Sequence, residues 1–348
     1  MKPGPHRTWL GFLVGLIFAS ILVVSSGTAD SSEPIFSSDE ILEIGIRTPL
    51  SKLMRHKAGE SEFAGSLDLP DGISIPMTCS KYGISRLREC QLASLKISVD
   101  QIDIGETPFA GLKTLRLVTP CRLIGGFDRF TVLEYLVYRT YAVLTEPSLG
   151  VRLAKVHFHD SGKAAKEVTR YAFFIEDIDN AAMRSGRIWL DIQEPQLSDL
   201  DAAELTLMTL FQYMIGNTDW SAWRGPPNDR CCHNVALLGE GDADLISVLP
   251  FDFDQAGLVD APYAAPAEGL GLRRVTERRY RGLCVHNELV PGAIEVFNGK
   301  RAEIEALYRD DRLPYSKDRE RAFKYIRDFY EIVNEPRKLD KKVISSCR

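Results

Sequence analysis

Three short segments in the second half of the chain carry oxygen ligands and a candidate base. Asp219 stands in Ile215-Gly-Asn-Thr-Asp-Trp-Ser221, where Gly216 or Asn217 can end the preceding apolar stretch in a left-handed turn. Asp252 and Asp254 stand in Leu249-Pro-Phe-Asp-Phe-Asp-Gln255, two carboxylates at alternating positions among phenylalanines. On an extended chain such positions point the same way, and like charges so close repel unless a cation lies between them. Asn234 closes Cys231-Cys-His-Asn234 and offers a neutral amide oxygen at the head of an apolar run. Asp219 as a base, with Asn234, Asp252 and Asp254 around a hard cation, is the all-oxygen chemistry that Mg2+ prefers. In the first half, Glu134 shares an apolar helix face with Phe130, Val137 and Tyr141. A buried carboxylate needs a cation, and the strand before it offers Lys113 and Arg116.

Other chemistries compete for neighbouring residues. Cys231, Cys232, His233, Cys284 and His286 are residue types that suit zinc, although thiols in an oxidising compartment pair as disulfides first. His157 and His159 share one side of a strand and read as surface or packing histidines. An isolated Asp219 reads as a turn aspartate.

These residues need elements to position them. Up to about Thr119 the pattern is mostly strand: Ile41, Ile44 and Ile46; Ile73, Ile75 and Met77; Leu92, Leu95 and Ile97; Leu115, Leu117 and Val118. A helix capped by Asp128 runs through Phe130, Leu133, Val137, Tyr141 and Leu144. Strands Val151 to Phe158 and Val168 to Ile175 follow, joined at Asp160-Ser-Gly162. A helix spans about Ser198 to Ile215, and Leu245 to Leu249 reads as a strand buried on both faces. Two amphipathic helices follow, near Ala293 to Tyr308 and Asp318 to Val333. Strands first and helices later indicate an α+β chain with a boundary near Pro195.

The first 29 residues read as a secretory signal peptide. Lys2, His6 and Arg7 precede the apolar stretch Trp9 to Val24, which is shorter than the about 20 residues a membrane span needs. Gly27 and Ala29 suit cleavage before Asp30. Residues 30–38 read as a flexible start to the mature chain, and no later stretch is apolar enough to cross a membrane. The chain is therefore expected in the periplasm or outside the cell. Its formal charge is −5, more acidic still without Lys2 and Arg7, which argues against a nucleic-acid partner. Seven cysteines leave at least one unpaired within the chain.

In their order, these segments resemble the spore-coat CotH family of atypical kinases, and more closely its exported bacterial relatives. The stronger match runs from Phe211 to Cys284: Phe211-Gln-Tyr-Met-Ile-Gly-Asn-Thr-Asp-Trp-Ser221, Cys232-His-Asn234, Pro250-Phe-Asp-Phe-Asp-Gln-Ala-Gly257, Tyr263-Ala264 and Arg279-Tyr-Arg-Gly-Leu-Cys284. A weaker one takes in Leu115 to Cys121, Glu134 to Tyr138, Val151 to Ala154 and Phe173 to Asp177. The resemblance implies a two-lobed atypical protein-kinase-like fold, with a strand-rich N-lobe at 39–195 and a helical C-lobe at 196–348. It implies Mg2+-dependent phosphotransfer from ATP or another nucleoside triphosphate to a protein acceptor. Asp219 would be the catalytic aspartate, and Asn234, Asp252 and Asp254 the metal site. Arg116, Glu134 and Glu176 would face the nucleotide. The chain departs from the family in the Trp/Pro/Cys-rich insert between Asp219 and Asn234, in arginine at 116 where relatives carry lysine, and in showing no glycine-rich phosphate loop. The same fold without turnover, used for binding or envelope assembly, is the alternative. Two disulfides are expected: Cys90 with Cys121, which flank adjacent strands, and Cys231 or Cys232 with Cys284, from the matched segments.

Overall fold

Alternation of apolar and polar residues builds most of the first half. In β1 (Leu42–Thr48) the burial alternates, with Leu42, Ile44, Ile46 and Thr48 inward. The computed structural model describes residues 34–56, 61–83, 86–99, 105, 107–162, 167–225, 231–239 and 245–348, besides Met1 and Gly4. The expected signal peptide, apart from Met1 and Gly4, with its expected cleavage site and residues 30–33, lies outside the described residues. Of the expected flexible start, Pro34–Phe36 forms a 3-10 turn whose Ile35 is fully buried.

Six more strands follow: β2 (Phe63–Asp68), β3 (Ser74–Tyr82), β4 (Ser94–Val99), β5 (Thr114–Val118), β6 (Val151–Asp160) and β7 (Val168–Ile175). They close into a barrel in the order β1-β2-β3-β4-β5-β7-β6. Closure is made by β1 pairing in parallel with β6, from Leu42 opposite Ala154 to Thr48 opposite Asp160; the other neighbours run antiparallel. Ile44, Ile46, Leu67, Ile97, Leu117, Val156, Phe158 and Phe174 form its packed core.

Short helices α1 (Leu50–Leu53) and α2 (Arg86–Glu89) join barrel strands, while α3 (Arg129–Leu144) bridges β5 to β6. Twelve of the residues of α3 are buried, so it is apolar on nearly every side. Beyond β7 come α4 (Ile178–Arg184), β8 (Ile188–Trp189), α5 (Ala202–Ile215), β9 (Val235–Gly239) and β10 (Ser247–Pro250). Helices α6 (Val290–Arg309), α7 (Ser316–Val333) and α8 (Pro336–Lys342) complete the chain. Strands β10, β9 and β8 make a small antiparallel sheet.

This corrects the expected fold. A two-lobed kinase-like arrangement, strand-rich N-lobe against helical C-lobe, is not what the chain adopts. Its first seven strands form a closed mixed barrel, and the described residues from Pro34 to Arg348 make one compact unit. The reason lies in two elements. The parallel β1–β6 pairing removes the open sheet edges, and α3 shares one continuous core with α5, α6 and α7.

Asp128 also differs from expectation. It makes no capping bond to α3; its carboxylate accepts from the Tyr171 backbone N–H (2.9 Å) and the Tyr315 hydroxyl (2.7 Å). No described helix is long and apolar enough to cross a membrane.

Candidate functional site

Helix α5 sets the first part of the site. Asp201 caps it, its carboxylate accepting from Ala203 N–H (2.9 Å) and Glu204 N–H (2.8 Å). Gly216 ends it in the left-handed conformation, φ +68°, which a residue without Cβ adopts freely. The chain then turns through Asn217, whose side-chain oxygen accepts from Asp219 N–H at 2.9 Å.

Pairing of Ser221 with His233 brings the second part beside the first. Ser221 N–H donates to His233 O (2.8 Å) and His233 N–H to Ser221 O (3.0 Å). Asp219 and Asn234 thereby meet. Asn234 Nδ2 donates to the Asp219 carbonyl (2.8 Å) and to Asp219 Oδ2 (3.2 Å), while His233 Nε2 lies 2.7 Å from Asp219 Oδ1. Both carboxylate oxygens of Asp219 are therefore held. The Asp219 hydrogen bond raises the pKa of His233, against the effect of burial.

The third part leaves the same end of the β9–β10 hairpin. Val235 pairs with Pro250, so Asn234 and Phe251 emerge together, and Phe251 N–H donates to Asn234 O at 3.0 Å. Asp252 N–H then donates to the Tyr138 hydroxyl of α3 (2.8 Å). Among the described residues four non-glycine residues have positive φ, and two are Asn234 (+53°) and Asp252 (+58°). Asn and Asp tolerate this region best, yet strain kept at two such positions is what functional sites show. The turn at Asp252 also means that Asp252 and Asp254 do not stand on an extended strand, as the sequence pattern had suggested. They still sense each other: burial and the Asp254 charge raise the Asp252 carboxyl to about 7, Asp219 adds to this, and Arg86 and His233 oppose it.

Asp254 is held below. Its Oδ2 accepts from the Tyr263 hydroxyl (3.2 Å) and forms an ion pair with Arg86, 3.2 Å from Nε. The same guanidinium reaches Glu134 Oε2 at 2.5 Å and the Thr119 carbonyl at 2.9 Å. Arg86, Glu134 and Asp254 are 7%, 2% and 2% exposed, so one cation serves two buried carboxylates. Burial raises the pKa of Glu134, with Arg86 acting against it.

Here the structure corrects one expectation. Glu134 does have its buried cation, but it is Arg86 of α2, not Lys113 or Arg116 of the neighbouring strand. Arg116 pairs with Asp177 (2.5 Å) and lies over the Tyr82 ring, 5.0 Å from its centroid. Glu176 is locked into the fold, accepting from Gly150 N–H (2.8 Å) and Arg184 Nη2 (2.9 Å). Sequence reasoning gave Arg86 no part in the site, placed Tyr138, Tyr263 and His233 within matched segments without a role, and otherwise read His233 as a zinc candidate. No spacing marks Arg86, which sits in a helix of four residues.

The cysteines also differ in part. Cys90 bonds Cys121 as expected. Cys232 and Cys284 do not meet: Cys231 bonds Cys232, and Cys284 bonds Cys347. Those thiolates are consumed, which removes the zinc reading for them. Cys79 is a buried free thiol. His157 hydrogen-bonds Glu43 (2.8 Å) and Thr169 (3.0 Å).

No family model matches the chain, and no curated protein matches it. The site must therefore be read from its own geometry. Two cavities, of about 350 Å³ beside Tyr135 and Arg139 and about 470 Å³ beside Met54 and Phe158, share no lining residue with it. Among the described residues no three His, Cys, Asp or Glu side chains alone form a metal cage. The cluster instead offers one raised carboxyl, one amide oxygen and one clamped base.

Proposed function

We propose that the chain is an exported phosphotransferase, using Mg2+ and a nucleoside triphosphate such as ATP to phosphorylate a hydroxyl on a protein acceptor. The reading keeps the roles implied by the CotH resemblance and rests on the site rather than on a fold. The observation that carries it is Asp219, clamped by His233 and Asn234 and set beside the raised carboxyl of Asp252. Export is supported by three disulfides among the described residues, which an oxidising compartment maintains.

The donor set fits the cation. Magnesium commonly takes one or two carboxylates and completes its shell with phosphate oxygens and water. Asp252 and the Asn234 amide oxygen would hold it, and Asp254 would stand behind them on Arg86. When bound, the cation neutralises charge on the phosphates. Asp219 orients the acceptor hydroxyl and takes its proton as the oxygen–phosphorus bond forms. The bond from the terminal phosphorus to its bridging oxygen breaks, leaving the nucleoside diphosphate. His233 and Asn234 keep the Asp219 carboxylate in one orientation. The buried Arg86–Glu134–Asp254 set holds the Asp252 turn against α3.

One observation favours a second reading, an inactive binding or envelope-assembly module. Arg116, expected at the phosphates, is engaged by Asp177 and Tyr82. Incubation with γ-labelled ATP and Mg2+ separates the two. The proposal expects label on an acceptor or on the chain, and its loss in Asp219→Ala. Nucleotide binding without transfer supports the second reading, and neither binding nor transfer sinks the proposal.

A further inference from the structure

Beside Asp219 lies a group of cations that form no ion pair with a carboxylate among the described residues. Arg281 donates through Nη1 to the backbone oxygens of Thr218 (2.6 Å) and Trp220 (2.7 Å), flanking Asp219 in the chain. Its guanidinium lies over the Trp220 ring, 4.9 Å from the centroid. Trp220 meets Trp223 edge-on at 6.2 Å, and Arg348 lies over Trp223 at 4.5 Å. Arg348 is fixed there by its surroundings. The Cys284–Cys347 disulfide, Cys284 N–H on Arg348 O (3.1 Å) and Arg348 N–H on Gly282 O (3.0 Å) lay residues 347–348 along 282–284. Arg224 follows Trp223, its backbone N–H on Ser221 Oγ at 3.0 Å.

Among the described residues none of these three guanidiniums pairs with a carboxylate. Exposed arginines elsewhere in the chain do so: Arg312 with Asp310 and Arg321 with Asp260. The three also sense one another. Burial and Arg348 pull the pKa of Arg281 down to about 10, with the Asp219 charge acting against them, and burial and Arg224 lower that of Arg348. Like charges crowded in this way disfavour each other, and an incoming anion offsets the cost.

We infer that this arginine–tryptophan surface binds the acceptor, an acidic peptide segment whose hydroxyl residue reaches Asp219. The role of Asp219 in that statement rests on the phosphotransfer reading; the anion binding stands on the cluster alone. Guanidinium forks match carboxylates two bonds at a time. Arg224 and Arg348 are exposed, so the anion is met on an open surface. A chain segment with several carboxylates can lie along such a surface, whereas a small ligand needs enclosure.

The test uses fluorescence anisotropy with the full chain and three probes. These are a labelled peptide with glutamates around one serine, its glutamine twin, and inorganic phosphate as competitor. The glutamate peptide should bind, more weakly as salt rises, and about tenfold more weakly in Arg224→Gln/Arg348→Gln. These exposed side chains hold no buried group, and thermal unfolding confirms that the double variant folds. Equal binding of the glutamine twin, or an unchanged double variant, overturns the inference. So does phosphate binding the arginines while the peptide does not. Mg2+–ATP binding is measured on the same samples. Its absence with peptide binding intact removes the phosphotransfer reading alone; the converse removes only the acidic-peptide surface.

Discussion

Replacing Arg86 with methionine tests the buried centre beneath the site. The substitution keeps an unbranched side chain of similar reach but removes the cation that serves Glu134 at 2.5 Å and Asp254 at 3.2 Å. Both carboxylates are 2% exposed, so neither can turn to water. The folded chain must then hold one further carboxyl protonated. Against an ordinary Asp pKa of about 3.9, this costs about 4 kcal/mol at pH 7 and about 1.5 kcal/mol at pH 5. The first figure agrees with the roughly 3–5 kcal/mol found when one partner of a buried pair is removed. The sign follows from linkage. An acid whose folded pKa is raised binds more protons folded than unfolded above its ordinary pKa, so stability falls as pH rises through that window. Urea unfolding of wild type and Arg86→Met at pH 5 and pH 7 measures both quantities. Adding Glu134→Gln and Asp254→Asn to the variant should remove the pH dependence. A loss below about 1 kcal/mol at pH 7, or one independent of pH, refutes the reasoning.

Three other outcomes follow from the cysteines. The Cys284–Cys347 bridge joins residues 63 apart, so Cys284→Ala/Cys347→Ala should lower unfolding free energy by about 4 kcal/mol in urea titration; a loss under about 1 kcal/mol contradicts this. The same variant should weaken acidic-peptide binding, because Arg348 is no longer held. Burial, with the Glu62 charge, pushes the Cys79 thiol up to about 12. At pH 8 about one molecule in ten thousand carries the thiolate, so iodoacetamide should leave Cys79 unlabelled in the native chain and label it in urea. Rapid native labelling would show that the barrel core opens.

Strands and helices were legible where burial is periodic. Ile44 and Ile46, Ile75 and Met77, and Leu115 and Leu117 alternate inward as their sequence indicates. The helices carrying Glu134 and preceding Asp219 were readable too. The barrel was not, because the β1–β6 pairing joins segments more than a hundred residues apart, and alternation marks a strand without naming its partner. Burial of Glu134 could be inferred from its face, and the need for a cation from its charge. That Arg86 supplies it is a fact of tertiary structure. Cys284 offered a similar choice: its nearest matched cysteines, Cys231 and Cys232, bond each other. The Asp219–Asn234 meeting was legible in the residue types but concealed by their separation in the chain, which the Ser221–His233 pairing closes.

The most direct test of the central claim is calorimetric titration of the protein with ATP, with and without Mg2+. Binding should require Mg2+, be lost in Asp252→Ala, weaken in Asn234→Ala and survive in Asp219→Ala, which loses only transfer. Equal binding without Mg2+, or undiminished Mg2+-dependent binding in Asp252→Ala, would contradict the account.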